Sequence, residues 1–114
     1  MDLKQSIKGN VAILSISVKM MGDTQSQQLH ENVKHTLEKG VTNIILDLKN
    51  VRLINSIGIG LIMACWSSVE KAGGQLKLAN VGEKVYDVLT ITELDQFFEN
   101  YDSVEAALTS FSSY

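Results

Sequence analysis

Ile44-Ile45-Leu46-Asp47-Leu48, followed by Lys49-Asn50-Val51-Arg52-Leu53-Ile54 and then Asn55-Ser56-Ile57-Gly58-Ile59-Gly60, is the stretch on which the reading of this chain turns. The first five residues are almost all apolar and too few for a stable helix. They read as a strand buried on both faces, the pattern of a parallel sheet. From Asp47 onward the polar residues read as a loop leaving the carboxyl end of that strand. Ile57 to Lys71 reads as a helix, buried at its start because it is apolar almost all round there. A strand that feeds a buried helix through a short polar loop is half of a βαβ unit.

Working outward, the same alternation continues on both sides. Lys4 to Lys8 reads as a short strand, with Lys8-Gly9-Asn10 as a hairpin turn. In Val11 to Val18, Ala12, Leu14, Ile16 and Val18 share one face, and Val11, Ile13, Ser15 and Ser17 the other. Thr24 opens a helix with Gln27 completing a capping box, Leu29, Val33 and Leu37 form its apolar stripe, and Gly40 ends it. His30 and His35 fall on its outer face. After Gly73-Gly74, Leu76-Lys77-Leu78-Ala79 is a strand, and Glu83 to Ile91 is a helix carrying Val85, Val88 and Leu89. Phe97-Phe98 reads as a short strand or an anchor. Asp102 with Glu105 starts a last helix through Leu108. The order ββαβαβαβα predicts an α/β fold: a mixed, mostly parallel β-sheet packed with about four α-helices.

Composition narrows the function. The chain has 114 residues, 45% hydrophobic and 20% charged, which suits a single domain over residues 1–114. Net charge is −3 and the pI about 5.3. Ten Lys and Arg are scattered along the chain, so no basic stripe for nucleic acid is evident. One cysteine, Cys65, rules out an internal disulfide framework and fits a reducing compartment. No export signal and no apolar run of spanning length are seen, so the expectation is a cytoplasmic protein without membrane insertion.

Chemistry concentrates where the central strand meets the long helix. Functional loops gather beyond the carboxyl ends of strands in open α/β sheets. A helix N-terminus there offers unpaired N–H groups and a positive dipole end, which favour an anion such as a phosphate on Ser56. The plainer reading is that Asn55 or Ser56 is only the N-cap. Gly58 and Gly60 either admit another surface or permit close helix–sheet packing. A dinucleotide fingerprint would need a third glycine where Met63 stands. Asp47 is a carboxylate in an apolar strand, best read as structural. Asp23 either lines the face of Ser56 or is a solvated cap. His30 and His35 lack partners for a metal set, and a Ser-His-Asp site cannot be composed convincingly. Met63 and Trp66 share a helix face and read as core. Met20 and Met21 read as exposed partner contacts.

These residues resemble a known family. Ile45-Leu46-Asp47-Leu48 with Ile54-Asn55-Ser56-Ile57-Gly58-Ile59-Gly60 is similar to the STAS domain, the fold of bacterial anti-sigma factor antagonists. The likeness continues through Gly73 to Val81, Val88-Leu89, Ile91 to Phe98, and Asp102 to Leu108. The resemblance implies a regulatory switch and no enzyme. Ser56 is the implied phosphorylation site. Asp23, Asn55, Ser56, Ile57, Gly58, Ile59 and Gly60 are the implied partner-binding residues. The implied partners are an anti-sigma factor of the GHKL serine-kinase type, bound when Ser56 is unmodified, and a PP2C-type phosphatase. No cofactor, metal or nucleic acid is implied. The family also includes constitutive subunits of signalling scaffolds and of ABC lipid-transport complexes. Asn55 stands where the family usually has Asp, and Ile57 where it usually has a second hydroxyl.

Overall fold

Two parallel central strands carry the molecule: β2 (Val11–Met21) and β3 (Asn43–Ile54). In the computed structural model, which describes residues 1–23 and 26–112, β1 (Asp2–Lys8) joins β2 as an antiparallel hairpin. Gly9 turns the hairpin at φ +61°, a conformation that glycine adopts freely. On the far side β4 (Leu76–Ala79) and the two-residue β5 (Asn100–Tyr101) extend the sheet in parallel, giving the order β1-β2-β3-β4-β5. The helices are α1 (Gln27–Glu38), α2 (Ser56–Lys71), α3 (Glu83–Ile91) and α4 (Val104–Ser112).

The two faces of the sheet are covered unequally. Ala12, Leu14 and Ile16 of β2, with Leu46 and Leu48 of β3 and Leu78 of β4, bury the main core against α1, α2 and α3. Those helices contribute Leu29 and Val33, Ile62, Cys65 and Val69, and Val85 and Leu89. On the opposite face Val11, Ile13, Ile45 and Ala79 form a smaller core with Ala107 and Phe111 of α4, flanked by the partly buried Tyr101, Val104 and Leu108. The alternation read in β2 is therefore the partition between the two cores. Lys77, buried at 4% exposure, fastens that second face. Its Nζ donates to Ser110 Oγ at 2.7 Å, lies 3.6 Å from Glu99 and sits 4.2 Å from the Phe111 ring centre. The lysine stem packs while its charge finds partners, so an apparently misplaced cation serves as a clamp for α4.

Several expectations change. β3 does not end at Leu48 but continues through the polar run to Ile54. Between Ser15/Asp47 and Ser17/Asn50 the pairing gains one residue on β3, a bulge. The Lys49 N–H donates to Asp47 Oδ1 at 3.2 Å across it. The bulge shifts the phase of the pattern, which is why a strand looked like a loop. Phe97-Phe98 is not a strand: pairing waits until Asn100, while Phe98 is a buried anchor and Phe97 packs edge-on to Trp66 at 4.6 Å. Ser103, not Asp102, caps α4, its Oγ accepting the Ala106 N–H at 3.0 Å. The cap proposed for Thr24 lies outside the described residues.

The start of α2 is not buried: Ile57 is 64% exposed. Met21 is fully buried and Met20 half-buried, so Met21 is core and no exposed contact. No described helix is long and apolar enough to cross a membrane.

Leu46 lies at the centre of the main core and Ile57 on the surface, so their truncations should separate. Leu46→Ala is expected to lose about 2–5 kcal/mol of unfolding free energy. Ile57→Ala is expected to change it by about 0.5 kcal/mol or less. Urea denaturation followed by circular dichroism checks both.

Candidate functional site

The end of β2 and the start of α2 are fitted to each other atom by atom. Asn55 is extended, at φ −110° and ψ −176°, and precedes the first helical residue, Ser56. Its backbone N–H donates to the Met21 carbonyl at 3.1 Å, and its Oδ1 accepts the Gly58 N–H at 3.0 Å. The carboxamide is therefore the N-cap. A Cβ on Gly58 would collide with the Met21 carbonyl and the Ile54 side chain, and one on Gly22, at φ +127°, with Asn55 itself. Both glycines exist for close approach within the chain.

Capping by Asn55 leaves Ser56 free for other work. Ser56 is exposed at the first position of α2, next to exposed Ile57 and Gly60. The Ile59 N–H donates to the Asn55 carbonyl at 3.0 Å, so the Ser56 and Ile57 N–H groups form the open, electropositive mouth of the helix. Beside them a groove of about 630 Å³ runs between α1 and α2, walled by Asp23, Gln27, His30, Ile57, Gly60 and Leu61, among others. Asp23, Ile57 and Gly60 thus share one groove, and Asn55 and Ser56 directly precede Ile57 in the chain. Gly58 is buried and Ile59 half-buried against the main core, so these two act inward.

Gly22 and Asp23 are held by Ser26. Its Oγ accepts the Gly22 N–H at 2.9 Å and donates to Asp23 Oδ1 at 2.9 Å. A buried serine, at 1% exposure, organises this corner, and sequence reading missed it. The Ser at position 26 immediately before a periodic apolar stripe was the available signal.

Asp47 is structural as read. It accepts from Ser15 Oγ at 3.3 Å, Asn80 Nδ2 at 3.0 Å and the Lys49 N–H. Those bonds tie β2, β3 and the end of β4 together below the site. His30 is not on an outer face: its Nε2 lies 3.0 Å from Ser68 Oγ of α2, on the groove wall. Burial first, and the Lys34 charge second, lower its pKa from 6.5. His35 is exposed. Burial pushes the Cys65 thiol up to about 12, which leaves it unreactive. Among the described residues no cluster of His, Cys, Asp or Glu is arranged to hold a metal ion.

Comparison with known proteins places this geometry. The STAS domain family model matches residues 4–107. The TM1081 homolog of Thermotoga neapolitana is 39% identical over 72 residues, 63% of this chain and 64% of that protein. The match thus spans less than two thirds of that relative's length. The anti-sigma-B factor antagonist of Bacillus subtilis is 28% identical over 98 residues, 86% of this chain and 80% of that protein. The crystal structure of TM1081 from Thermotoga maritima superposes with a TM-score of 0.84 at 28% identity, covering 97% of this chain and 95% of that one. The chain belongs to the STAS domain family.

Two outcomes test the site's construction. Asn55→Ala should cost about 1 kcal/mol, the usual worth of an N-cap, whereas Asn55→Asp should keep the cap and gain about 0.3–1 kcal/mol from the helix dipole at neutral pH. Thermal unfolding reads both. His30 favours its neutral form in the folded state, so the unfolded chain binds its proton first. Its contribution is fully present above pH 6.5 and is lost as pH falls below that value toward the lowered folded pKa. His30→Gln is expected to flatten that segment of the stability–pH curve.

Proposed function

We propose that this STAS-domain protein is an anti-sigma factor antagonist, a non-enzymatic cytoplasmic regulator whose docking is switched by phosphorylation of Ser56. The observation that carries the proposal is the division of labour at the head of α2. Asn55 does the capping, and Ser56 stands exposed in the chain next to Ile57, which lines the groove between α1 and α2. The groove, with Asp23, Asn55, Ser56, Ile57 and Gly60 around it, is the docking face for an anti-sigma factor. That partner is a serine kinase of the GHKL type, which transfers the terminal phosphoryl group of ATP to Ser56 Oγ and releases ADP. A PP2C-type phosphatase returns the serine by hydrolysis, releasing inorganic phosphate.

The physics of the switch follows from where the phosphate would sit. At the N-terminus of α2 a phosphoserine meets unpaired N–H groups and the positive dipole end, so the helix tolerates it. The disturbance falls on the partner. A charge of about −1.5 to −2 beside Ile57 would have to be desolvated in any close-packed complex. The modification therefore ejects the partner and leaves the fold intact.

A second reading, a constitutive subunit of a signalling scaffold or of an ABC lipid-transport complex, has one observation in its favour. Asn55 supplies a carboxamide committed to the cap, where the usual family residue is a carboxylate beside the serine.

Intact-mass analysis of the protein from its native cells separates the two. The expected result is one added phosphate that maps to Ser56 and disappears in Ser56→Ala. Ser56→Asp is expected to weaken capture of the kinase by about 2–3 kcal/mol, or about 30- to 150-fold, while Ser56→Ala retains it. A chain that stays unmodified through growth, starvation and stress would overturn the switch and support the constitutive subunit.

A further inference from the structure

The arm of β2 and β3 beyond the bulge gathers positive charge that no ion pair among the described residues neutralises. The register Val18↔Val51 and Met20↔Leu53 sets Lys19 beside Arg52 on the face of the sheet opposite the main core. Like charges so placed repel. Lys49, exposed at the bulge, stands next to them. Across a groove of about 590 Å³, lined also by Val51, Leu53 and Gly82, lies Lys84 in the first turn of α3. That is the end of a helix where a cation is disfavoured. A second hollow of about 520 Å³ continues along Lys19, Lys49 and Arg52 past Ser17 and Asn50. Four of the ten Lys and Arg of a chain with net charge −3 thus converge, with Glu83 the one carboxylate lining the groove. None of the four makes an ion pair with a described residue.

Strand pairing also stops short here. β3 pairs with β4 from Ile44 to Asp47, so from Leu48 to Ile54 its β4-side edge has no strand neighbour among the described residues. An unpaired strand edge is a template for another strand.

We propose that this basic groove is a docking site for an acidic, extended segment of a partner protein, laid along the open edge of β3 toward the head of α3. Glutamates or aspartates on the segment would relieve the repulsion between Lys19 and Arg52 and meet Lys49 and Lys84. Backbone groups would complete the β3 edge, as in strand addition. Alternate apolar side chains would rest on Leu53, which is 37% exposed. That apolar footing favours a peptide over a polyphosphate backbone. The negative charge on the rest of the molecule also opposes a long polyanion or an anionic bilayer.

The test uses an N-acetylated, C-amidated decapeptide alternating glutamate and valine, titrated into the isotope-labelled protein and followed by amide chemical shifts. Shifts confined to Val18–Lys19, Lys49–Leu53 and Gly82–Lys84 are expected, weakening as salt is added. Lys19→Glu with Arg52→Glu should reduce affinity at least about tenfold, as loss of a charge-assisted contact does. Lys19→Gln with Arg52→Gln serves the same purpose with a milder change. Ser56→Ala should leave binding unchanged, which keeps this result separate from the fate of the proposed switch. The inference is overturned if the peptide shifts nothing or shifts amides elsewhere, or if a lysine–valine peptide binds equally well. It is also overturned if phosphatidylserine vesicles or a single-stranded oligonucleotide occupy the same residues more tightly than the peptide.

Discussion

Helix α2 begins within bonding distance of the end of β2, and most of what distinguishes this molecule depends on that approach. The Met21 carbonyl accepts the Asn55 N–H, and the absent side chain of Gly58 lets the helix sit against the same carbonyl. Gly22 in turn makes room for the carboxamide that caps the helix. Each concession is local, yet together they fix the axis of a 16-residue helix that supplies Ile62, Cys65 and Val69 to the main core. They also determine which atoms face outward. Because the cap is provided from position 55, the hydroxyl at position 56 has no structural duty.

Much of the fold could be read from residue pattern because its signals are local. The two faces of β2 alternate with period two, and the stripes of α1 and α3 with the helical period, so Leu14, Val33 and Leu89 declared their burial. Gly9 and Gly40 marked turns through their conformational freedom. What escaped was produced by pairing at a distance. The bulge in β3 is stabilised by Asp47 and imposed by register with β2, and no residue type announces it. Asn100 and Tyr101 are a strand only because β4 offers an edge to them. At the head of α2 the need for a cap was legible in Asn55-Ser56, and the structure gives that duty to Asn55. The site was obscured where a residue serves a neighbour: Ser26 behind Asp23, Ser68 beneath His30 and Asn80 against Asp47.

The two surfaces singled out here differ in kind. The groove between α1 and α2 sets Ile57, Leu61 and Ala64 of α2 against polar residues of α1 such as Gln27, Glu31 and Lys34, a mixed lining in which shape and specific polar contacts both count. Along β3 the cations dominate, and their field extends into solvent by about the Debye length of roughly 10 Å. Such a field orients an approaching partner before contact and speeds its arrival. One surface is suited to holding a partner and the other to guiding one. They adjoin through Leu53 and Ile54, which lead from the charged arm into Asn55 and Ser56.

The unequal cover of the sheet has a consequence for how the molecule breathes. Three helices share the main core, whereas α4 rests on a satellite of Val11, Ile13, Ile45 and Ala79, fastened by Lys77. Regions with few buried contacts open at a lower free energy than the whole. By that rule helix α4 is expected to open more often than the domain as a whole unfolds. Its amides are then expected to exchange with solvent through that shallow opening, and those of β2 and β3 on the slower timescale of the entire domain.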